Sequence, residues 1–136
     1  MEIRRDKYLD LLIHSCGNGL IKVITGMRRC GKSYLLFTLF KNYLIKQGVK
    51  EDHIIGVNLE NRLNKSLRDP DALLQYIDSR LSSDGQYYVM LDEVQMVSEF
   101  EDVLNSFLSI SNVDVFVTGS TAKVLSKDVI TEFRGR

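Results

Sequence analysis

An α/β sandwich of three layers, with a mostly parallel central sheet between two layers of helices, is the fold class this sequence predicts. Three observations predict it. Apolar runs with the Ile/Val/Leu/Phe/Tyr bias of covered strands recur at Leu20 to Thr25, His53 to Leu59, Gln86 to Asp92 and Val113 to Thr118. Segments of helical period lie between them. A single proline, no low-complexity stretch and no internal repeat leave no linker that would divide the chain. Alternation of this kind implies parallel strands joined by right-handed crossovers.

Taken in order, a short helix is expected from Asp6 to His14, ahead of the first strand. After Lys32 the residues Leu36, Leu39, Phe40, Tyr43 and Leu44 form one stripe at helical spacing, and Gly48 stands where a C-terminal cap belongs. Asp69 and Pro70 supply an N-cap and a first helical position, leading into Leu73, Leu74, Ile77 and Leu81. Ser98 with Glu101 reads as a capping box before Phe100, Val103, Leu104, Phe107 and Leu108. A last helix is expected after the fourth strand. The stripes are read as core faces, the default for an apolar stripe.

With 136 residues, 44% of them hydrophobic, the chain is sized for one domain. It buries about two-thirds of its unfolded surface, enough for a core without disulfides. Eighteen basic residues balance eighteen acidic ones, which argues against a protein built to seek polyanions, though a local basic patch stays open. Nucleic acid is therefore not indicated. Cys16 and Cys30 form no CxxC pair, and His14 and His53 stand far apart, so two reduced thiols are expected rather than a zinc site. The first ten residues are charged where a leader needs an apolar core, and no run approaches the ~20 apolar residues of a membrane span. A cytoplasmic protein without a membrane segment is the reading.

Gly26-Met27-Arg28-Arg29-Cys30-Gly31-Lys32-Ser33 fits G-x-x-x-x-G-K-[ST], the P-loop pattern. Its chemistry needs each element. Glycines allow a tight turn in which successive amides converge on phosphate oxygens, with the following helix's positive end behind them. Lys32 reaches the β- and γ-phosphates as a point charge, and the Ser33 hydroxyl is placed to ligate Mg²⁺. The pattern follows an apolar strand and opens an amphipathic helix, which is the context it requires. Arg28 and Arg29 are open between solvated side chains and contacts to phosphate or a neighbouring subunit. The Cys30 thiol would lie beside bound nucleotide.

Tyr87 to Leu91 form an apolar run ending in Asp92 and Glu93, a Walker B pattern. Asp92 at the strand's carboxyl edge can complete a Mg²⁺ shell, and Glu93 can orient and deprotonate a water. GTP is disfavoured: Asn64-Lys65-Ser66-Leu67 lacks the acid of a guanine-reading motif, and no glycine follows Asp92 at the required spacing. At the end of the fourth strand, Ser120 is favoured over Thr118 as the hydroxyl that meets the γ-phosphate or the water. Capping of the helix that follows accounts for Ser120 or Thr121 equally well. The reaction class is hydrolysis of ATP to ADP and phosphate, with a nucleotide-operated switch or a protein- or DNA-interaction module as the competing reading.

Ile24 to Ser33, Leu91-Asp92-Glu93-Val94-Gln95, Val117-Thr118-Gly119-Ser120 and the closing Arg134-Gly135-Arg136 together resemble prokaryotic AAA-type P-loop ATPases. The resemblance spans essentially the whole chain. It implies a P-loop NTPase sandwich, ATP and Mg²⁺ as ligands, and a further C-terminal domain of unknown function. It also implies that the P-loop strand lies between the strand ending in the polar sensor and a fifth strand, and that Arg134 or Arg136 sits near nucleotide. On this reading residues 1–136 are an AAA-type domain cut from a longer protein before its fifth strand. Strand 20–25 would then be an open edge, available for self-association.

Overall fold

The computed structural model describes residues 2–25, 29–82, 84–119 and 130–134, with backbone alone for 2–6, 29–30 and 130–134. The four expected strands form within one residue of their expected bounds: β1 Ile21–Thr25, β2 Ile54–Asn58, β3 Tyr87–Asp92 and β4 Val113–Thr118. A fifth, β5 Ile130–Arg134, is also present. All pair in parallel, in the order β2-β3-β4-β1-β5.

The fifth strand corrects two expectations. The sheet is not cut short before it, and β1 is not an edge: Ile21 to Thr25 pair with Ile130 to Arg134 residue for residue. Self-association through strand 20–25 is thereby excluded, because both sides of β1 already carry ladder partners, β4 and β5. The backbone of Arg134 lies in register with Thr25, beside the start of the P-loop segment. Arg136 and the last helix expected after β4 lie outside the described residues.

Side chains alternate across the sheet and divide the core in two. On one face Ile21, Val23, Val57, Val89, Leu91, Val115 and Val117 pack with α4 (Pro70–Asp78) and α5 (Phe100–Phe107). On the other, Ile24, Met90 and Phe116 pack with α1 (Glu2–Ser15) and the helical segment 29–46. That segment runs as α2 Arg29–Tyr34, a π-helical stretch Leu35–Phe40 and α3 Lys41–Lys46. The widened turn shifts the stripe's phase, so Leu35 and Leu36 are both buried with Phe40 and Leu44, while Leu39 and Tyr43 are half-buried. Gly48, at φ 99°, ends the segment as its spacing predicts.

Asp69 caps α4 by accepting from the Ala72 amide at 2.9 Å. The expected capping box before α5 is absent. Glu99 stands at the N-cap in a left-handed conformation, φ 54°, with no side-chain cap bond. That turn swings Ser98 away from the helix, and its amide donates to the Arg68 carbonyl instead. Among the described residues no helix is long and apolar enough to cross a membrane.

At the amino end of the sheet, the buried Lys22 of β1 pairs with the buried Asp114 of β4. Lys22 also donates to Asn18 Oδ1 at 3.2 Å, and Asp114 accepts from the Gly17 amide at 2.8 Å, so the pair ties the α1–β1 turn to the sheet. Burial, followed by the Asp114 carboxylate, pushes the neighbouring Cys16 thiol up to about 11. Removing one partner of a buried pair leaves the other charge uncompensated. Asp114→Ala is expected to cost about 3 kcal/mol in urea unfolding, and the double variant Lys22→Met/Asp114→Leu markedly less.

Candidate functional site

Parallel strands bring their carboxyl ends to one edge, the place where open α/β sheets bind ligands. β1 leads through residues 26–28 into α2, which carries Gly31, Lys32 and Ser33. Gly26, Met27 and Arg28 lie outside the described residues, and for Arg29 and Cys30 the helical backbone alone is described. β3 ends in Asp92 and delivers Glu93; β4 ends in Thr118 and delivers Gly119.

Lys32 is 1% exposed. Its ammonium donates to the Gly119 carbonyl at 2.8 Å and lies 3.6 Å from Glu93 Oε2. Ser33 Oγ donates to Asp92 Oδ2 at 2.5 Å, and Thr118 Oγ1 donates to the other oxygen, Asp92 Oδ1, also at 2.5 Å. The same Thr118 hydroxyl accepts from the Glu93 amide at 2.8 Å. One hydroxyl thus fixes the carboxylate of Asp92 and the backbone of the next residue.

Glu93 adopts a left-handed conformation, φ 56° and ψ 56°. For a residue with a Cβ this costs on the order of 1–2 kcal/mol. The Thr118 bond to its amide and the burial of Val94 behind it offset that cost. The chain bends sharply off the end of β3 into a 3₁₀ turn, Val94–Met96, closed by the Met96 amide on the Glu93 carbonyl at 3.0 Å. Gln95 in this turn donates from Nε2 to Glu93 Oε1 at 2.7 Å.

The structure therefore gathers Lys32, Ser33, Asp92 and Glu93 of the expected site. Ser120 lies outside the described residues. Thr118, ranked below Ser120 from sequence, holds the buried bracketing position. Gln95 and the Gly119 carbonyl carry no assigned role in the sequence reading, where Gln95 figures only in the motif Leu91 to Gln95 that bears the family resemblance. The donor set suits a hard divalent cation: a hydroxyl and a carboxylate meet as paired oxygens. Ser33 and Asp92 are the residues that would hold Mg²⁺. The buried Lys32 cation, facing a carboxylate and a carbonyl, is chemically suited to exchange these partners for phosphate oxygens. A separate cavity of about 580 Å³ runs along the outer side of β2, between Phe37 and Lys41 on one helical layer and Tyr76 and Arg80 on the other. It shares no residue with this cluster.

A family model described as an AAA domain matches residues 18–136. An uncharacterized protein of Haemophilus influenzae is 35% identical over 135 residues, 98% of this chain and 34% of that protein. An uncharacterized protein of Methanocaldococcus jannaschii is 34% identical over 118 residues, 85% of this chain and 24% of that protein. The chain thus spans about a third and a quarter of these two relatives' lengths. Among solved structures, Drosophila ORC bound to GC-rich DNA and Cdc6 gives a TM-score of 0.62 at 10% identity, covering 96% of this chain and 54% of that one. C. elegans PCH-2 gives 0.59 at 16% identity, covering 96% and 40%. At such identities the likeness is one of fold.

Proposed function

This chain belongs to the AAA domain family of ATPase-type nucleotide-binding domains, and from that membership and the geometry above we propose that it binds ATP with Mg²⁺ and hydrolyses it to ADP and phosphate. The observation that carries the reading is the cluster of buried Lys32, Asp92 and Glu93 with half-buried Ser33, drawn from one helix and one strand end onto the sheet edge where ligands bind. Gly26 to Ser33 cradle the phosphates with backbone amides, and Lys32 moves from Glu93 and Gly119 onto the β- and γ-phosphates. Ser33 and Asp92 would hold the cation, which when bound would supply charge neutralisation for the phosphates. Glu93, released from Lys32, accepts a proton from the attacking water as the water oxygen bonds to the γ-phosphorus and the bond to the β-bridging oxygen breaks. Ser120 is assigned to the γ-phosphate from its place in the sequence after β4. Thr118 keeps Asp92 and Glu93 in place throughout.

The test is calorimetry and phosphate release on the folded protein. ATP is expected to give magnesium-dependent heat and a steady release of phosphate, and to slow alkylation of Cys30, whose label is read apart from that of the poorly ionised Cys16. No heat with ATP or ADP would overturn the assignment.

A further inference from the structure

We propose that Gln95 is the positioning residue that decides which oxygen of Glu93 performs the base chemistry. The two carboxylate oxygens of Glu93 are not equivalent. Oε1 receives the Gln95 amide at 2.7 Å, and Oε2 faces Lys32 at 3.6 Å. The left-handed backbone at Glu93 and the 3₁₀ turn after it place the two side chains together within three residues, so the contact is local to the catalytic turn. Glu93 itself is 1% exposed, leaving its carboxylate little freedom to find water in place of a lost donor.

Consider what ATP does to this arrangement. The inference rests on the hydrolytic reading above, in which the phosphates draw Lys32 away. Oε2 then loses its cation, while Oε1 keeps the Gln95 donor, a charge-assisted bond of the stronger kind. The carboxylate stays anchored by one oxygen and offers the other to the water. Without Gln95, Oε1 loses its 2.7 Å donor, and the base is held less firmly in place when it is needed. A donor amide does this without adding charge; a carboxylate at position 95 would repel Glu93, and a shorter amide would not reach it.

The experiment is a double-mutant cycle on phosphate release, run with wild type, Gln95→Met, Glu93→Gln and the double variant. Gln95 is half-buried and methionine matches its length, so folding is expected to survive. Gln95→Met is expected to lower kcat roughly tenfold with KM for ATP and ADP affinity unchanged. Gln95→Glu is expected to lower it further. In the Glu93→Gln background, Gln95→Met should cost nothing more, because the group it positions no longer acts. A merely structural role for Gln95 would produce the same fold-loss in both backgrounds, and that result overturns the proposal. A Gln95→Met enzyme as fast as wild type overturns it too, while leaving hydrolysis intact. A wild-type protein that binds ATP without turnover removes both readings together.

Discussion

Lys32→Ala is expected to eliminate the magnesium-dependent heat of ATP binding, with affinity weakened at least about a hundredfold. The ammonium is the one lysine charge at the P-loop, and a methyl group supplies neither charge nor donor. Its burial makes the loss larger than for a surface contact, since the interaction is little screened by water or salt. Removal has a second consequence, on the fold. Glu93 loses a cation 3.6 Å away and the Gly119 carbonyl loses its 2.8 Å donor. The thermal midpoint should therefore fall as well. Adding Glu93→Gln to Lys32→Ala separates the effects: stability should recover in part as the buried negative charge is removed, and binding should not recover at all. Full recovery of ATP heat in the double variant would show that Lys32 serves the fold and not the ligand.

Glu93→Gln alone is expected to behave in the opposite way. The amide keeps the size of the side chain and an acceptor for Gln95, so the turn should persist. It cannot take a proton from water, and turnover should drop by roughly two to four orders of magnitude. Affinity for ATP should be equal or tighter, because Lys32 no longer has to leave a carboxylate for the phosphates. Phosphate release and calorimetry on the same preparation measure both quantities. Unchanged hydrolysis would refute the role assigned to Glu93.

Where the sequence was legible, the reason is physical. Strands covered on both faces need unbroken apolar runs, so β1 to β4 could be bounded to within one residue. β5 reads Ile-Thr-Glu-Phe-Arg, neither an unbroken apolar run nor a strict alternation, so it carried no strand signal of either kind. The cap at Asp69 was visible because side chain and amide are neighbours in sequence. Ser98 offered the same local signal, yet the left-handed Glu99 overrode it. That Thr118 would bracket Asp92 and the Glu93 amide was not legible, for a different reason. Which hydroxyl meets Asp92 depends on how β3 and β4 are staggered, with Leu91 opposite Val117, and one strand's sequence does not contain that stagger. The lone charges inside two apolar runs, Lys22 and Asp114, were each readable as oddities; their pairing needed β1 and β4 to be adjacent.

The position of β5 also decides where this molecule could grow sideways. With β5 shielding the nucleotide-bearing strand on one flank, the opposite flank ends in β2, a strand with no charged residue and no proline, and with no strand beyond it among the described residues. Three inter-strand steps separate β2 from β1, about 14 Å at the usual spacing. A visiting strand laid against β2 would thus extend the hydrogen-bonded ribbon far from β1 but with only β2 between it and β3, whose Asp92 stands opposite Asn58, so lateral docking there would reach the acidic end of the site through a single strand.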